Sequence, residues 1–440
     1  MLDILIHNAA VLTVNPAFDI LRPGMVGIRN GIIETVHPES PEARRPRARS
    51  TVDAGGGILM PGLVNAHTHL PMVLFRGLAD DLPLDDWLNL HIFPAEARHI
   101  RPAAVGAATR LACAELLLSG TTTCCDAYFH EDTVAECLSE MGMRAVAAQG
   151  VIDFPAPGVP DPASNIEVAR DFVEKWTTRD TLVTPSIFCH SPYTCGEATL
   201  KRAKAAADDL GVILQIHVAE TRQEVERSLA EHGLTPVRRL DRMGVLDERT
   251  LLVHCVWLAD DDIEILAERG SPVVHCPESN MKLASGVAPV PRLLAAGATV
   301  GLGTDGAASN NDLDLFREMD AAAKLHKMAT GDPTAMDART VLRMATSNAA
   351  AAIGLGEIAG SIEPGKAADL VFLDPGHPAL MPDYHPESLA VYAAGGGTVR
   401  DVMVGGRFRV RNRRLTGGDM DRIMEEVRSA AREIGGPAAG

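Results

Sequence analysis

Two histidines, His67 and His69, stand two positions apart at the end of the apolar run PGLVNAHTHL. On a strand, residues i and i+2 face the same way, so both imidazoles would aim at one point and could chelate a divalent ion. Alone, the pair also suits two ordinary polar residues at a strand end. Other ionisable side chains recur in the same setting: His190 ends LVTPSIFCH, His217 and Glu220 lie in QIHVAE, His254 in LLVHCVWL, His275 in SPVVHCPES and Asp305 in GLGTDG. Three imidazoles and one carboxylate, from His67, His69, His217 and Asp305, suit a borderline ion such as Zn2+, with room left for water. A metal so held lowers the pKa of its water towards neutrality and makes a nucleophile. Asp305 could hold that water and take its proton, and Glu220 could carry a proton to the leaving side of a substrate. His254 could donate to a developing oxyanion or orient the hydroxide. Such a site hydrolyses an electrophilic carbon, either an amide carbonyl or an amino-bearing ring carbon. Asp305 and Glu220 each also suit the start of a following helix. His275 is given no role.

These residues meet only if the elements bearing them converge. Eight short apolar runs, ILMPGLVNAH, TTTCCDAYF, RAVAAQGVID, LVTPSIFCH, GVILQIHVAE, LLVHCVWL, SPVVHCPES and ATVGLGTDG, alternate with segments of helical spacing such as AAVGAATRLACAELLLSG and CGEATLKRAKAAADDLG. Strands alternating with helices imply parallel units, and eight of them predict a (β/α)8 barrel of the TIM type, whose chemistry sits at the C-terminal ends of its strands. The polar residues above collect at those ends. Many sites that resemble this one hold two metals bridged by a modified lysine at the end of the fourth strand. LVTPSIFCHSPY contains no lysine, so a single metal is expected.

The chain ends read differently. GMVGIRNGIIETV places apolar residues on both sides of Asn30-Gly31, and DVMVGGRFRVRNRRL repeats the device with Gly405-Gly406, both suited to two-residue hairpins. GKAADLVFLD supplies another strand. The expected organisation is a small β-sandwich domain built from both chain ends, residues 1–57 and 365–440, interrupted by the barrel over 58–364. The small-residue tail GGPAAG reads as a frayed end.

Composition bounds the partners. The chain has 440 residues, 46% hydrophobic and 22% charged, which is ordinary for a globular enzyme, and a formal net charge of −17. That charge repels phosphate backbones, so nucleic acid is not an expected partner, whereas a neutral, zwitterionic or cationic small molecule is easier to accommodate. The eight cysteines, Cys113, Cys124, Cys125, Cys137, Cys189, Cys195, Cys255 and Cys276, lie in apolar contexts without CxxC spacing and read as reduced core thiols of a cytoplasmic protein. MLDILIHNAAVLTVN carries Asp3 and His7 and lacks the basic start of a signal peptide, and no apolar run is long enough to span a bilayer, so no membrane partner is expected. A homo-oligomer is compatible with the composition, which does not fix the number of subunits.

Together PGLVNAHTH, HVAET, VHC, TDGAASNN and GKAADLV resemble the amidohydrolase superfamily, and HLPMVLFRGLADDLPLDDWLNLHIFPAE is similar to its 5′-methylthioadenosine/S-adenosylhomocysteine deaminases. The resemblance covers nearly the whole chain. It implies zinc-dependent conversion of an adenine nucleoside to its inosine counterpart with release of ammonia. On that resemblance His67, His69, His217 and Asp305 would hold the metal, Glu220 would protonate the purine ring and His254 would assist the attacking hydroxide. Trp87 would pack on the ligand, Glu96 would accept both ribose hydroxyls, His190 would contact the sugar or its thioether side, and Ser309 would line the pocket. Trp87 also suits an amphipathic helix face, and Glu96 a solvated helix start.

One departure concerns the loop after the third strand. Some members carry arginines there for the carboxylate of a homocysteine arm. Here the region reads QGVIDFPAPGVPDPASN, Gln149 stands where the first would be, and no arginine follows before Arg170. The expectation is therefore a preference for methylthioadenosine, or adenosine, over S-adenosylhomocysteine, with all three within the substrate class. The competing readings are an aminohydrolase of a free base or triazine, a cyclic amidase, and a non-catalytic protein that kept the scaffold. A base without ribose has no use for Glu96.

Overall fold

The computed structural model describes residues 1–40 and 45–435; the last residues of the small-residue tail lie outside them. By packing, the chain divides into two compact units. One comprises Met1–Asn65, Glu115–Thr123 and Asp314–Gly417; the other comprises Ala66–Ala114, Cys124–Leu313 and the chain from Gly418 onward.

The first unit contains a mixed sheet of nine strands among the described residues, drawn from both ends of the chain. Strands Ile20–Arg29 and Ile32–Pro38 pair antiparallel with Arg29 opposite Ile32, which leaves Asn30 and Gly31 as a two-residue turn. Both turn residues have positive φ, 51° and 78°, as the tight hairpin requires. Gly405 and Gly406, at φ 55° and 73°, turn Val399–Val404 into Arg407–Arg411 in the same way. The chain ends join where Ile58–Pro61 runs antiparallel to Leu370–Leu373, with Val371 opposite Met60. Beneath lies a core of Ile6, Val11, Val26, Ile28, Leu59, Leu370 and Phe372.

The eight expected strand runs form one parallel sheet: Leu63–Thr68, Thr121–Tyr128, Arg144–Val151, Val183–Cys189, Leu214–Val218, Thr250–His254, Val273–His275 and Val300–Leu302. Each neighbours the next in sequence, the arrangement that right-handed strand–helix–strand units generate. Seven runs give one strand each. ILMPGLVNAH gives two, because the backbone N–H of Gly62 donates to Asp369 O and diverts the run, so Ile58–Pro61 joins the mixed sheet and Leu63–Thr68 begins the barrel. The helix predicted from CGEATLKRAKAAADDLG spans Glu197–Leu210 and ends at Gly211.

The barrel closes where its last strand meets its first. Asp305 N–H donates to His67 O at 3.1 Å, and Gly303 N–H donates to His275 O at 3.0 Å. Gly303 is forced at this seam: a Cβ there would lie 2.8 Å from His67 N and 2.9 Å from His67 O, both backbone atoms that cannot swing aside. Overpacking of this kind costs about 1–3 kcal/mol. Gly303→Ala is therefore expected to lower the thermal midpoint and to weaken divalent-metal binding together, checked by thermal unfolding and metal titration. A variant with unchanged affinity would show that the seam does not position the ligands.

All eight cysteines are buried, and no disulfide joins them. Among the described residues no helix is long and apolar enough to cross a membrane.

Candidate metal-dependent active site

The first barrel strand delivers His67 and, one step beyond its end, His69; the fifth delivers His217, and the turn after the eighth delivers Asp305. Each offers one ligand atom, and these four atoms all lie within 4.8 Å of one another. His67 Nε2 is 3.1 Å from His217 Nε2, and Asp305 Oδ1 is 3.6 Å from His67 Nε2 and 3.3 Å from His69 Nε2. Tetrahedral Zn2+ with bonds of about 2.1 Å sets its donors about 3.4 Å apart, so the set fits one such ion. The fourth strand contributes no lysine, as its sequence requires.

Electrostatics prepares these donors. His69 Nδ1 donates to Ala127 O at 2.5 Å, leaving Nε2 unprotonated towards the other ligands. Burial, reinforced by His67, pushes His69 down to about 4, and burial likewise holds His67 and His217 below the ordinary imidazole range. Burial alone would raise Asp305, but the His67 hydrogen bond and the neighbouring His69 and His254 outweigh it and hold the carboxyl well below its usual value. The ensemble is three neutral imidazoles beside one carboxylate.

Beside them lie Glu220 and His254, with His254 Nε2 3.7 Å from Glu220 Oε2. Burial, then the charge of Asp305, pushes Glu220 up to about 8, so it carries a proton at neutral pH. The following helix, Arg222–His232, is capped by Thr221 and not by Glu220. Nor does Asp305 cap a helix: its Oδ2 accepts from Ser279 at 2.8 Å and from Ser309 at 2.7 Å. Ala219, His254, Cys255 and Asp305 all adopt positive φ without being glycine, so backbone strain concentrates where the strands end and the ionisable groups begin.

A cavity opens over this group. Its wall includes His69, His217, Glu220, His254, Asp305 and Ser309 and also reaches Trp87, Glu96 and His190. Trp87 begins a π-helical stretch, Trp87–Ile92, which runs directly into the helix Phe93–His99 that carries Glu96. Neither side chain sits on a solvated face: both are buried, at 5% exposure each. Tyr128 Oη donates to Glu96 Oε1 at 2.5 Å, while burial pushes the Glu96 carboxyl up to about 7. His190 Nδ1 lies 2.9 Å from Thr194 Oγ1, and burial lowers its pKa to about 3, so it is neutral. Phe93 stands 5.9 Å from the His190 ring and 5.4 Å from Phe154. Among the described residues, no arginine or lysine lines the cavity.

Gln149 is the expected site residue that the structure does not bring in. Its Oε1 accepts from Glu131 N–H and its Nε2 donates to Gly150 O, while Gly150 lines the cavity instead. Successive strand residues face opposite sides, so only one of these two positions can look inward. His275 is buried on the seventh strand and outside the metal group. The sequence reading missed Tyr128, Ser279, Asn280, Ser285 and Glu224. The last accepts from the backbone N–H groups of Ala219 and Glu220 at 2.9 Å each and so fixes the turn that carries Glu220.

Residues 58–409 match the Amidohydrolase family. The chain is 48% identical over 432 residues, 98% of each chain, to a 5-methylthioadenosine/S-adenosylhomocysteine deaminase of Syntrophobacter fumaroxidans. It is 45% identical over 98% of its length, and all of the relative's, to a 5′-deoxyadenosine deaminase of Methanothermobacter thermautotrophicus. Among solved structures, an adenosine deaminase from Xanthomonas campestris with bound zinc superposes with a TM-score of 0.95, at 41% identity and 98% coverage of both chains.

Proposed function

Since this chain belongs to the amidohydrolase family, with 5-methylthioadenosine/S-adenosylhomocysteine deaminases among its near relatives, we propose that it deaminates adenine nucleosides bearing a small, uncharged 5′ group. It is a zinc-dependent aminohydrolase: water replaces the exocyclic amino group of the purine, and the products are the inosine counterpart and ammonia. Three relatives support this class, since the names of all three describe deaminases of adenosine or of its 5′ derivatives. What carries the reading is a single cavity that joins the four-ligand cluster and Glu220 to a buried carboxylate, Glu96, suited to a vicinal diol.

When bound, the divalent ion supplies an activated water and polarises the reacting centre. His67, His69, His217 and Asp305 would hold it. Glu220, protonated at neutral pH, donates to the purine ring nitrogen as the amino-bearing carbon becomes tetrahedral. Asp305 takes one proton of the attacking water, and His254 donates a hydrogen bond to the attacking oxygen. The proton on Asp305 then goes to the leaving amine, which departs as ammonia, and the remaining hydroxyl proton returns to Glu220 as the carbonyl forms. Trp87 packs on the nucleoside, Glu96 accepts both ribose hydroxyls, Ser309 lines the base end, and His190 contacts the sugar. A cavity wall without arginine or lysine among the described residues, with Phe93 beside His190, supports a methylthio, hydroxyl or hydrogen substituent at the 5′ carbon over a zwitterionic arm. Eight buried cysteines outside any disulfide support a cytoplasmic setting.

The test is ammonia release by the zinc-loaded enzyme from 5′-methylthioadenosine, 5′-deoxyadenosine, adenosine, S-adenosylhomocysteine, adenine and a triazine. Methylthioadenosine should exceed S-adenosylhomocysteine in kcat/KM by at least about tenfold, the worth of roughly 1.4 kcal/mol of missing contact. Glu96→Gln should raise the KM of ribonucleosides with a smaller effect on 2′-deoxyadenosine. Because Glu96 ionises near 7, the wild-type advantage of ribo over deoxy substrates should grow as pH rises through 7. Comparable kcat/KM on both thioether nucleosides would overturn the 5′ preference. Turnover of a free base that survives Glu96→Gln, with nucleosides inert, would overturn the nucleoside class.

A further inference from the structure

The seventh strand is short and is followed at once by the six-residue helix Pro277–Lys282. From this one segment, three side chains reach three different reacting groups. Ser279 Oγ donates to Asp305 Oδ2 at 2.8 Å, the Asn280 amide nitrogen donates to His254 Nδ1 at 3.1 Å, and Ser285 Oγ donates to Glu220 Oε1 at 3.5 Å. The segment is itself held firmly. Lys282 Nζ donates to Asp80 Oδ1 at 2.7 Å, to Ala308 O at 3.2 Å and to Asn311 Oδ1. Trp257 Nε1 donates to Ser285 O at 2.6 Å, and Ser285 N–H donates to Asn280 O at 2.9 Å.

The consequence for His254 is specific. A ring nitrogen that accepts an amide N–H carries no proton, so its partner nitrogen must carry it. With Nδ1 accepting from Asn280, the hydrogen of His254 sits on Nε2, the nitrogen 3.7 Å from Glu220 Oε2. His254 lines the cavity, so it presents a donor there. Of the two roles open to this histidine, donating to an oxyanion or accepting from water, only the first is then available, and the acceptor role falls to Asp305.

We propose that Asn280 is a positioning residue that fixes the Nε2–H tautomer of His254, and that Ser279 and Ser285 hold Asp305 and Glu220 in register with it from the same segment. This rests on the aminohydrolase reading for its catalytic consequence but not for its structural content. Asn280 touches neither substrate nor metal in this account; it acts through His254.

The experiment is 15N NMR of selectively 15N-histidine-labelled full-length enzyme, metal-free and zinc-loaded, with the His254 resonances assigned by their loss in His254→Asn. The expected spectrum has a protonated Nε2 and an unprotonated Nδ1. In Asn280→Asp the carboxylate accepts instead, and the proton should move to Nδ1. On methylthioadenosine that variant should lose at least about tenfold in kcat with KM within about twofold, the split expected when ground-state binding is kept and a transition-state donor is lost. Two results would overturn the proposal: a wild-type His254 protonated at Nδ1, or an Asn280→Asp enzyme whose kcat stays within about twofold of wild type. The wild-type spectrum decides the matter even if the variant does not fold. If the loaded wild-type enzyme releases no ammonia from any adenine nucleoside, the aminohydrolase reading fails, and the spectrum still tests the tautomer.

Discussion

Chelator-stripped enzyme releases ammonia at least about a thousandfold more slowly than the loaded enzyme, and added Zn2+ restores the rate. The size follows from chemistry: a divalent ion supplies several kcal/mol of charge stabilisation, and each 1.36 kcal/mol is about tenfold in rate. No other group in the cavity replaces it. The three imidazoles are neutral and buried, with two of their nitrogens 3.1 Å apart, so without a cation they lack the charge to ready a water molecule. Stripping should also lower the thermal midpoint, because an ion that binds only the folded chain stabilises it in proportion to its concentration over its dissociation constant. Full activity in protein shown by elemental analysis to lack metal would sink the four-ligand assignment.

Glu220→Gln should lose about 10²–10⁴ in kcat with little change in KM, the range for removing a positioned proton carrier. The glutamine keeps the shape and the Ser285 contact but has no acidic proton. Direction with pH follows from the raised pKa. Burial and the Asp305 charge favour the protonated form of Glu220 up to about pH 8, while the Ser285 hydroxyl pulls the other way. A general acid works while protonated, so wild-type kcat should hold through neutrality and fall as pH rises through about 8. That falling limb should be missing in Glu220→Gln. A wild-type profile that climbs through pH 8 would mean that Glu220 acts as a base, and the assignment would reverse.

The metal cluster was legible because its members share one property, a position at the end of an apolar strand run. His67, His69, His217 and Asp305 could be collected on that property without knowing a single contact. The same property admitted His275, which lies at such an end yet stays outside the cluster. Gln149 shows where strand-end reasoning stops: one residue of parity decides which side chain faces the cavity, and Gly150 has that place. Asn280, Ser279 and Ser285 were illegible for another reason. They lie beyond the strand, in a helix and turn whose direction no periodicity fixes, and their types are common in any surface loop. Tyr128 reads as a core aromatic until Glu96 is brought to it from a distant helix. At the chain ends, the hairpins were readable from Asn30-Gly31 and Gly405-Gly406, because positive φ at two successive residues tolerates few side chains. The split of ILMPGLVNAH was not, since nothing local says that Gly62 will be claimed by a strand some three hundred positions on.

The seam held by Gly303 and Asp305 has a bearing on how the enzyme comes into being. His67 belongs to the opening strand and Asp305 follows the closing one, so a nascent chain on the ribosome lacks the carboxylate until more than two thirds of its length has been made. An ion held by all four ligands therefore requires the opening and closing strands to have met.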